Sequence, residues 1–363
     1  MDLDKLLETS DSCIYDEPPA CTSCCPVHMD VIAFITEIEK GEFGKAYKVM
    51  EKRIPFARII GSICDRPCEK VCVRSDSGGA IKISELEKAA ISLGFSPPKK
   101  TIPIPKKKGR VAVVGGGISG MTAAFDLDKK GYQVALYEKS DRLGGEIWSY
   151  EGVNLKREVI EEEIQAIVKQ GIKVELNTFI DKKGLESLIE EYNAVYLGTG
   201  TWEEELQIHP GTFQVGNTSV FAGGKLSNKS SSPIFSASSG RRAAISIDRY
   251  IGKNSMTASR EREGSFVTPL KYETEGIQSV EAVRKASDIY SKDEAEREAG
   301  RCLKCRCRKC IEACSHLMRF DISPKNYMRQ INQNERIILG THYANKMINS
   351  CTMCGLCEEE CFK

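Results

Sequence analysis

The segment "CTMCGLCEEEC", residues 351–361, spaces four cysteines so that their thiolates could bind iron. Two residues separate Cys351 from Cys354 and Cys354 from Cys357, and three separate Cys357 from Cys361. The first three thiolates of this pattern wrap one corner of a 4Fe-4S cluster, and the fourth reaches a neighbouring cluster. A zinc site uses paired C-x2-C units and does not need the third and fourth cysteines at these intervals. The spacing therefore favours 4Fe-4S clusters over zinc and predicts that there are two.

The second set of ligands is expected in "CLKCRCRKCIEAC", residues 302–314. Cys307, Cys310 and Cys314 fit C-x2-C-x3-C, but Lys304 stands where the first ligand belongs. That ligand must come from Cys305 or Cys302, and we favour Cys305 because it is nearer, which leaves Cys302 outside the assignment. The predicted ligands are Cys305, Cys307, Cys310 and Cys361 for one cluster and Cys351, Cys354, Cys357 and Cys314 for the other.

A glycine turn in the middle of the chain predicts a dinucleotide site. Gly115, Gly117 and Gly120 fit G-x-G-x-x-G directly after the apolar strand "VAVV" and at the start of a helix. Such glycines allow a tight turn, let a pyrophosphate approach backbone N–H groups, and let the helix pack on the strand. Glu138 ends the next strand, where a carboxylate can accept hydrogen bonds from a ribose. The alternative, a purely structural glycine turn, does not explain the acid.

The elements around this turn alternate between strand and helix. After the second strand come "REVIEEEIQAIVKQG", "IKVELN", "KKGLESLIEEY" and "AVYLGTG", and "GRRAAISIDRYI" is a plausible last helix. This order predicts an α/β fold with a parallel, doubly wound, Rossmann-like sheet. Nearer the N-terminus, "MDVIAFITEIEKG" has helical apolar periodicity, a possible Asp30 cap and a stop at Gly41. It predicts a small helical domain.

These patterns divide the chain into five regions. We expect a helical iron–sulfur domain over 1–95, a linker over 96–109, an FAD-binding domain over 110–252, a connector over 253–290 and a ferredoxin-like domain with two 4Fe-4S clusters over 291–363. The linker "SPPKKTIPIPKKKGR" is rich in proline and cannot hold a helix. Its basic residues could form a binding patch, but a solvated connector is the simpler interpretation.

Composition excludes several functional classes. Lysine and arginine number 52 against 51 acidic residues, so the net charge of +1 gives no argument for nucleic acid or an anionic membrane. No apolar stretch is long enough to span a membrane. The N-terminus lacks the pattern of a secretory signal, so a cytoplasmic protein is expected. In that compartment, 16 cysteines at short spacings favour metal binding over disulfides.

The central region resembles the FAD domain of the flavoprotein disulfide-reductase type. The resemblance is carried by "YEKSDRLGG", "VYLGTG" and "VFAGG", and it implies contacts to FAD from Lys139, Gly145, Thr199, Gly200, Gly223 and Gly224. Two departures stand out. Lys225 occupies the position of the acid that normally holds the ribityl chain, and the NAD(P)H domain with its second G-x-G-x-x-G is missing. Electrons must then reach the flavin from clusters, a partner subunit or a small molecule.

Residues 1–95 resemble the N-terminal iron–sulfur domain of the glutamate synthase small subunit, dihydropyrimidine dehydrogenase and the ferredoxin-NADPH transhydrogenase large subunit. The matching segments are "CTSCCPVHMDVIAFI", "ICDRPCEKVC" and "IKISELEKAA". Cys302 lies in "EAGRCLKC", which resembles the opening of the same domain. By position, the resemblance implies one cluster on Cys25, Cys64, Cys68 and Glu87. It implies a second cluster that includes Cys21 and Cys72. A further ligand of this second cluster would come from Cys13, Cys24 or, as a remote alternative, Cys302.

Simpler interpretations of some of these residues remain open. "SELE", residues 84–87, is also the signature of a capping box, in which Glu87 would bond to the backbone of the cap residue. Cys13 and Cys24 could be ordinary buried thiols. No Ser-His-Asp or Cys-His constellation is apparent, so no catalytic residue is assigned.

Together these features predict an electron-transfer flavoprotein subunit. It would pass electrons among one FAD, two C-terminal clusters and one or two N-terminal clusters, within a larger oxidoreductase such as an aldehyde oxidoreductase, hydrogenase or transhydrogenase. Other subunits are the expected partners, and ferredoxin or NAD(P)H bound elsewhere is a possible exchange partner. The alternatives are a self-sufficient enzyme reducing a small substrate at the flavin, and a scaffold with structural clusters. Because Cys361 is so near the end of the sequence, we also expect either a partner to cover its cluster or the chain to be a fragment.

Overall fold

A five-stranded parallel sheet lies at the centre of the computed structural model, which describes residues 12–97, 105, 109–153, 155–169, 171–228, 232–335 and 350–361. Its strands are β1 (Arg110–Val114), β2 (Gln133–Tyr137), β3 (Lys173–Glu175), β4 (Ala194–Leu197) and β5 (Val220–Ala222). Their order is β3-β2-β1-β4-β5, and every neighbouring pair is parallel. This is the predicted doubly wound α/β fold, in which consecutive parallel strands need crossover connections.

Helices cover both faces of the sheet, which explains why β1 and β4 are almost entirely apolar and buried. They are α7 (Ile118–Lys129), α8 (Arg157–Val168), α9 (Lys182–Glu191) and α10 (Pro233–Ile251). A Cβ at Gly240 of α10 would stand 2.2 Å from Ser119 O, so α7 and α10 pack with their backbones in close contact. The predicted last helix thus begins earlier than expected, because Ser232 caps it and Pro233 occupies its first turn.

A helical region precedes the sheet in sequence. It contains α1 (Ala20–Ser23), α2 (Val31–Glu39), α3 (Phe43–Arg53), α4 (Ala57–Ile63), α5 (Pro67–Lys70) and α6 (Ile83–Gly94). The predicted cap of α2 is confirmed, since Asp30 Oδ1 accepts a hydrogen bond from Ala33 N at 3.0 Å. Phe34, Ile35 and Ile38 of α2 are fully buried. The apolar face predicted from the sequence therefore forms the core of this region.

Helix α11 (Lys292–Gly300) packs on α2 and α6, far back in the sequence. Its Glu298 is fully buried and accepts hydrogen bonds from Lys82 N at 2.9 Å and Val283 N at 2.8 Å. Arg301 forms an ion pair with Glu298 at 2.6 Å, so the buried carboxylate has one charged partner and two backbone donors. These bonds fix residues 292–301 to the N-terminal helices.

The chain forms two compact units, which do not follow the predicted boundaries at 95 and 291. One comprises Ala20–Val267 and Gly276–Leu303, and the other Met1–Pro19, Thr268–Glu275 and Lys304–Lys363. The difference has a physical cause, because α11 buries Ala295, Glu298 and Ala299 in the first unit. The predicted linker lies mostly outside the described residues. The predicted connector, 253–290, contains neither helix nor strand.

The second unit contains α12 (Lys309–Glu312), α13 (Ser315–Phe320), α14 (Pro324–Glu335) and α15 (Leu356–Glu359). Its small core centres on the buried Leu317 and Ile322. Asp16 joins the N-terminal segment to α14 through ion pairs with Arg329 at 3.1 Å and Lys325 at 3.6 Å. Across the described parts of both units, we find no helix with the length and apolar character needed to cross a bilayer.

Candidate cofactor-binding sites

The glycine turn borders a cavity of about 440 Å³ at the carboxyl ends of β1, β2 and β4. This volume is typical of sites for small molecules and cofactors, and the carboxyl edge is where open parallel sheets bind ligands. Most of the predicted cofactor residues line it, namely Gly115, Gly117, Glu138, Lys139, Gly145, Thr199, Gly200 and Gly224. The structure thus brings together residues predicted from four separate segments.

Two predicted residues, Gly120 and Gly223, lie beneath the cavity instead of lining it. A Cβ at Gly120 would stand 1.8 Å from Gly115 O, so a side chain there is incompatible with the turn. A Cβ at Gly223 would stand 2.2 Å from the Tyr196 hydroxyl. Both glycines permit close packing of the elements that form the cavity.

Helix α7 begins at the cavity with no side chain capping its free amides. Gly117 is its N-cap, and a Cβ at this position would meet no atom within 4 Å. The first turn of α7 carries no acidic residue. Unpaired amides and the positive end of a helix dipole favour a phosphate group. Across the cavity, Gly145 approaches closely enough that its Cβ would stand 3.3 Å from Gly117 Cα. These residues fit a bound pyrophosphate.

Glu138 is buried at the end of β2, as predicted, and its carboxylate holds the glycine turn. Its Oε2 accepts a hydrogen bond from Gly116 N at 2.6 Å, and its Oε1 accepts one from Ser140 N at 2.9 Å. Each carboxylate oxygen can accept a further bond, so the group can also bind ribose hydroxyls.

A buried hydroxyl network under the cavity was not predicted. Ser119 Oγ lies 2.5 Å from the Tyr196 hydroxyl and 3.0 Å from Ser239 Oγ, and Ser239 accepts a hydrogen bond from Gly224 N at 2.8 Å. Burial raises the pKa of Tyr196 to about 12, so the phenol stays protonated and can donate. Ser119 lies within "GGGISG" and Tyr196 within "VYLGTG". The sequence reasoning used only the glycines and Thr199 of these motifs and therefore missed both hydroxyl groups.

Lys225, which replaces the expected acid, forms an ion pair with Glu146 at the cavity. A carboxylate is therefore present near this position, but it belongs to the residue directly after Gly144 and Gly145. Sequence reasoning missed Glu146 because the resemblance located the acid only after "VFAGG".

In the helical region, four predicted ligands converge: Cys25, Cys64, Cys68 and Glu87. Cys25, Cys68 and Glu87 are buried. Burial, together with the negative charge of Glu87, raises the pKa of the thiols of Cys25, Cys64 and Cys68. Burial, followed by the charge of Glu69, likewise raises the pKa of Glu87 to about 8. The irons of a 4Fe-4S cluster, one to each ligand, would hold these four groups ionised, although the groups do not stand close enough together to bind one metal ion.

The capping-box alternative for Glu87 is wrong. Helix α6 has Lys82 as its N-cap, with no side-chain cap hydrogen bond, and Ser84 lies within the first turn. Ser84 Oγ has no hydrogen-bond partner, whereas a capping box requires it to accept one. Glu87 instead lies on the buried side of α6 beside Cys64 and Cys68.

The loops that carry these ligands contact the first turns of α10. Ser232 Oγ donates to Asp65 Oδ1 at 2.5 Å, and Ser238 Oγ donates to the carbonyl oxygen of Pro26 at 2.8 Å. Asp65 and Pro26 directly follow Cys64 and Cys25. Pro233 and Ser236, from the same turns of α10, line the dinucleotide cavity, together with residues of the glycine turn. One short stretch of helix therefore separates the two candidate sites.

The other N-terminal cysteines lie at the edge of the same helical core. Cys21, Cys24, Cys72 and Cys302 are partly buried against it. Cys24 Sγ donates to Cys21 O at 3.6 Å, and burial raises its pKa to about 12. Arg301, beside Cys302, donates to Gly78 O and Gly79 O at 2.7 Å each. Cys302 thus belongs to the same unit as Cys21 and Cys72.

In the second unit, Cys314 lies with the C-terminal motif, as predicted. Cys314 and Cys357 pack against Leu317 and Ile322. Burial, followed by the negative charge of Cys314 and that of Cys351 and Cys354, raises the pKa of Cys357. The predicted ligands of this cluster are therefore neighbours.

The other predicted set, Cys305, Cys307, Cys310 and Cys361, stays a prediction, and electrostatic effects link three of its members. Burial raises the pKa of Cys310 to about 11, and the charges of Cys307, Cys13 and Cys361 add to the effect. Burial and the charges of Cys13 and Cys361 also raise the pKa of Cys307. Cys13, proposed from sequence for an N-terminal cluster, belongs to the same compact unit as residues 304–363.

The described cysteines form neither a disulfide nor a site for a single metal ion. All 16 cysteines lie within the described residues, and none is paired in a disulfide. Over those same residues, no three Cys, His, Asp or Glu side chains converge tightly enough to hold one ion. Thiolates on a single zinc ion stand roughly 4 Å apart. A 4Fe-4S cluster takes one ligand on each of four irons, so its ligands stand farther apart.

Three protein-family models match the chain. "Dihydroprymidine dehydrogenase domain II, 4Fe-4S cluster" matches residues 1–96, "NAD(P)-binding Rossmann-like domain" matches 113–175, and "4Fe-4S dicluster domain" matches 292–363. The prediction of 4Fe-4S domains at both ends and of a Rossmann domain for a flavin or NAD(P) dinucleotide is confirmed.

Curated relatives cover about half of the chain. The glutamate synthase [NADPH] small chain of Bacillus subtilis is 29% identical over 187 residues, which are 50% of this chain and 38% of that protein. The NADPH-Fe(3+) oxidoreductase subunit beta of Geobacter sulfurreducens is 29% identical over 189 residues, 50% of this chain and 28% of the relative. The NADP(+)-dependent formate dehydrogenase subunit beta of Moorella thermoacetica is 27% identical over 206 residues, 50% and 29% respectively.

The predicted resemblance to the glutamate synthase small-chain type of oxidoreductase is confirmed. Relatives of this type are subunits of redox enzymes, which supports an iron–sulfur and flavin electron-transfer subunit. The matched regions span only about a third of the length of these relatives.

Proposed function

We propose that this protein binds one FAD and carries electrons between it and several 4Fe-4S clusters, as a subunit of a larger oxidoreductase. When bound, FAD accepts electrons in pairs and releases them singly. The chain's part is to bind the centres, bring them close together and tune them through hydrogen bonds and burial. The predicted division into helical, FAD-binding and dicluster domains is retained in this proposal, as is a cytoplasmic location.

The residues around the cavity have separate roles in this proposal. The amides at the start of α7 would bind the pyrophosphate, and Glu138 would bind the adenosine ribose. Lys225, paired with Glu146, would lie toward the ribityl chain of the flavin. FAD is favoured over NAD(P) because the "GG" pair at 144–145 and the segments ending at Thr199 and Gly223 resemble FAD domains.

The single observation that carries the proposal is the hydrogen bond between Asp65 and Ser232. Asp65 follows a proposed cluster ligand, and Ser232 begins the helix whose next residue lines the cavity. A cluster held by Cys25, Cys64, Cys68 and Glu87 would therefore lie close to bound FAD. Such proximity has a clear use in electron transfer and none in a structural scaffold.

For the second N-terminal cluster we propose Cys21 and Cys72 together with Cys302. The carbonyls that bind Arg301 belong to Gly78 and Gly79, a few residues after Cys72. This packing keeps Cys302 beside the helical region even though it is more than two hundred residues away in sequence.

A catalytic partner and ferredoxin, or NAD(P)H bound elsewhere, are the proposed exchange partners, within an aldehyde oxidoreductase, hydrogenase or transhydrogenase type of assembly. Exposed side chains support a covering partner. Near the C-terminal cysteines, Met353 is 89% exposed and Met328 62% exposed. Methionine-rich apolar surfaces are common in interfaces.

Anaerobic purification of the full chain tests the proposal. We expect flavin absorbance that releases FAD on denaturation, iron and sulfide in amounts matching several 4Fe-4S clusters, and turnover with an artificial dye. Absence of flavin would contradict the proposal. Reduction of a small substrate without any partner would favour the alternative of a self-sufficient enzyme, and the identity of copurifying proteins would name the assembly.

A further inference from the structure

A second cavity, of about 190 Å³, lies beside α10 in the same compact unit as the dinucleotide cavity. Four residues of α10 line it, namely Phe235, Ser238, Ser239 and Arg242. Helix α10 borders the dinucleotide cavity through other residues, Pro233 and Ser236. The second cavity is therefore a separate space, and its volume is below the usual range for cofactors, so it suits a smaller molecule.

Arg242 is the one charged side chain among the described residues that line this cavity. Within the described part of the chain, its Nε is buried and finds no hydrogen-bond partner. It stands 3.6 Å from Oε2 of Glu263, which is too far for a hydrogen bond. That oxygen already accepts bonds from Arg260, from Nε at 2.8 Å and from Nη2 at 2.6 Å. Two arginines thus share one carboxylate, which is bonded to Arg260.

The charge of Arg242 is therefore incompletely balanced. Burial lowers the pKa of Arg242, and the positive charge of Arg260 lowers it further, whereas the carboxylate of Glu263 acts in the opposite direction. A guanidinium nevertheless stays protonated in proteins, and a buried charged donor without a partner is costly. An anion in the cavity would give Nε its partner and balance the second positive charge.

The hydroxyl groups of the cavity help to decide which anion fits. Each lining serine donates its hydroxyl hydrogen to a backbone carbonyl oxygen, at 2.7 to 3.1 Å, and these are Ser227, Ser238, Ser239 and Ser265. The serines therefore offer lone pairs to a ligand instead of hydrogen atoms. A phosphate, which carries oxygens on all sides, would meet those lone pairs. A carboxylate has both oxygens on one side and matches the planar fork of arginine.

Apolar side chains form another part of the wall. Ile208 and Phe213, from the segment between β4 and β5, line the cavity together with Phe235 of α10. The guanidinium of Arg242 lies over the Phe213 ring, 4.9 Å from its centroid. This contact holds the charged group beside an apolar surface, which suits the short hydrocarbon part of a small acid.

We propose that this cavity binds a small monocarboxylate, with its carboxylate on the Arg242 guanidinium and its apolar part against Phe213 and Phe235. This inference goes beyond the proposed electron-transfer function and does not depend on it, because Arg242 neither lines the dinucleotide cavity nor belongs to the proposed cluster ligands. Pro26, directly after Cys25, also lines the cavity, so a bound acid would lie against that loop.

Calorimetric titration of the full chain, purified anaerobically, with sodium propionate tests the proposal. The wild type should show saturable binding at one site, and Arg242→Gln should weaken it by about tenfold or more, because it removes a charge-assisted pair of hydrogen bonds. Arg241→Gln is the matched control, since Arg241 donates to Asp126 Oδ2 at 2.9 Å and does not line the cavity. It should bind propionate as the wild type does.

A second variant, Arg242→Lys, separates binding from folding. It keeps the charge and the apolar stem but lacks the planar fork, so it should fold, as judged by circular dichroism, and bind propionate more weakly than the wild type.

Three results would overturn the proposal. The first is the absence of saturable propionate binding by the wild type. The second is equal affinity for propionate in the wild type and in both Arg242 variants. The third is tighter binding of inorganic phosphate than of propionate, which would contradict the choice of a carboxylate.

Discussion

Ser232 Oγ donates a hydrogen bond to Asp65 Oδ1 at 2.5 Å, across 167 residues of sequence. The same hydroxyl caps α10 by accepting a hydrogen bond from Phe235 N at 3.4 Å. One side chain thus fixes the start of the helix that borders the dinucleotide cavity to the loop that follows Cys64. Together with the bond from Ser238 to Pro26, this contact holds the ligand loops against the start of α10.

Ser232→Ala should therefore slow electron exchange between flavin and clusters. Loss of the cap and of the bond to Asp65 should also lower the free energy of unfolding by about 1 kcal/mol. Flavin and iron contents should stay at wild-type levels. Rapid-mixing absorbance measures the exchange. Ser246→Ala is the control, because Ser246 is buried on the same helix and accepts a bond from Arg260 Nη1 at 2.6 Å, away from the ligand loops. Equal slowing in both variants would contradict the role of Ser232.

Gly117→Ala should lower FAD content without unfolding the protein. The new methyl group meets no protein atom within 4 Å, but it occupies the space through which a pyrophosphate approaches the amides of α7. Gly120→Ala should lose both FAD and stability, because its Cβ would overlap Gly115 O. Gly44→Ala, whose Cβ makes an ordinary 3.6 Å contact with Gly94 O, is the control for FAD binding. Flavin absorbance after gel filtration and circular dichroism measure the two effects, and full FAD content in Gly117→Ala would contradict the site.

Glu87→Ala should lose the iron of one N-terminal cluster, because it removes the buried carboxylate beside Cys64 and Cys68. Glu87→Gln should retain iron, since an amide oxygen can occupy the same position. Glu85→Ala is the matched control on the same helix, because Glu85 pairs with Lys88 and Lys285 at 3.0 and 2.8 Å instead of with thiols. Iron and sulfide assays of anaerobic protein measure the result. Unchanged iron in Glu87→Ala would mean that Glu87 is not a ligand.

Glu163 gives a pH dependence that is separate from the clusters. It lies partly buried between α8 and α4, where its Oε2 accepts a hydrogen bond from Ile59 N at 3.2 Å. Burial raises its pKa from 4.5 to about 7. The folded protein therefore keeps this proton over a window in which the unfolded chain releases it, and stability falls as pH rises from about 4.5 to 7.

Glu163→Gln should remove this loss and raise the free energy of unfolding at pH 8 by about 1 to 2 kcal/mol. At pH 4.5 the variant and wild type should differ little. Glu162→Gln is the control, because the exposed Glu162 pairs with Arg58 at 2.7 Å and such surface pairs contribute little. Thermal unfolding at several pH values measures the difference, and a constant difference across the range would contradict the titration of Glu163.

Local patterns predicted much of the dinucleotide site. The glycine turn and Glu138 stand in fixed order along one βαβ unit, so sequence spacing determines their spatial relation. The same holds for Cys351, Cys354 and Cys357, which lie close together in sequence at the start of α15. The parallel sheet followed from the alternation of strands and helices.

Contacts between distant segments could not be predicted in this way. The bond from Ser232 to Asp65 depends on how α10 packs against the helical region, and neither residue type indicates it. Cys13 precedes the N-terminal motifs, so its sequence position suggested an N-terminal cluster. The tertiary contacts of Asp16 with α14 show that this segment instead belongs to the unit that contains residues 304–363. The packing of the buried Glu298 of α11 against the helical region could likewise not be predicted from cysteine spacing.

The most direct test of the central claim is whether an electron on the flavin reaches an N-terminal cluster within the same molecule. The full protein would be given single electrons by a light pulse with a photoreductant, and flavin and cluster absorbance followed over time. The account predicts a flavin-to-cluster phase whose rate constant is independent of protein concentration and which is absent in Cys68→Ala. A rate constant proportional to protein concentration, or an unchanged phase in Cys68→Ala, would contradict it.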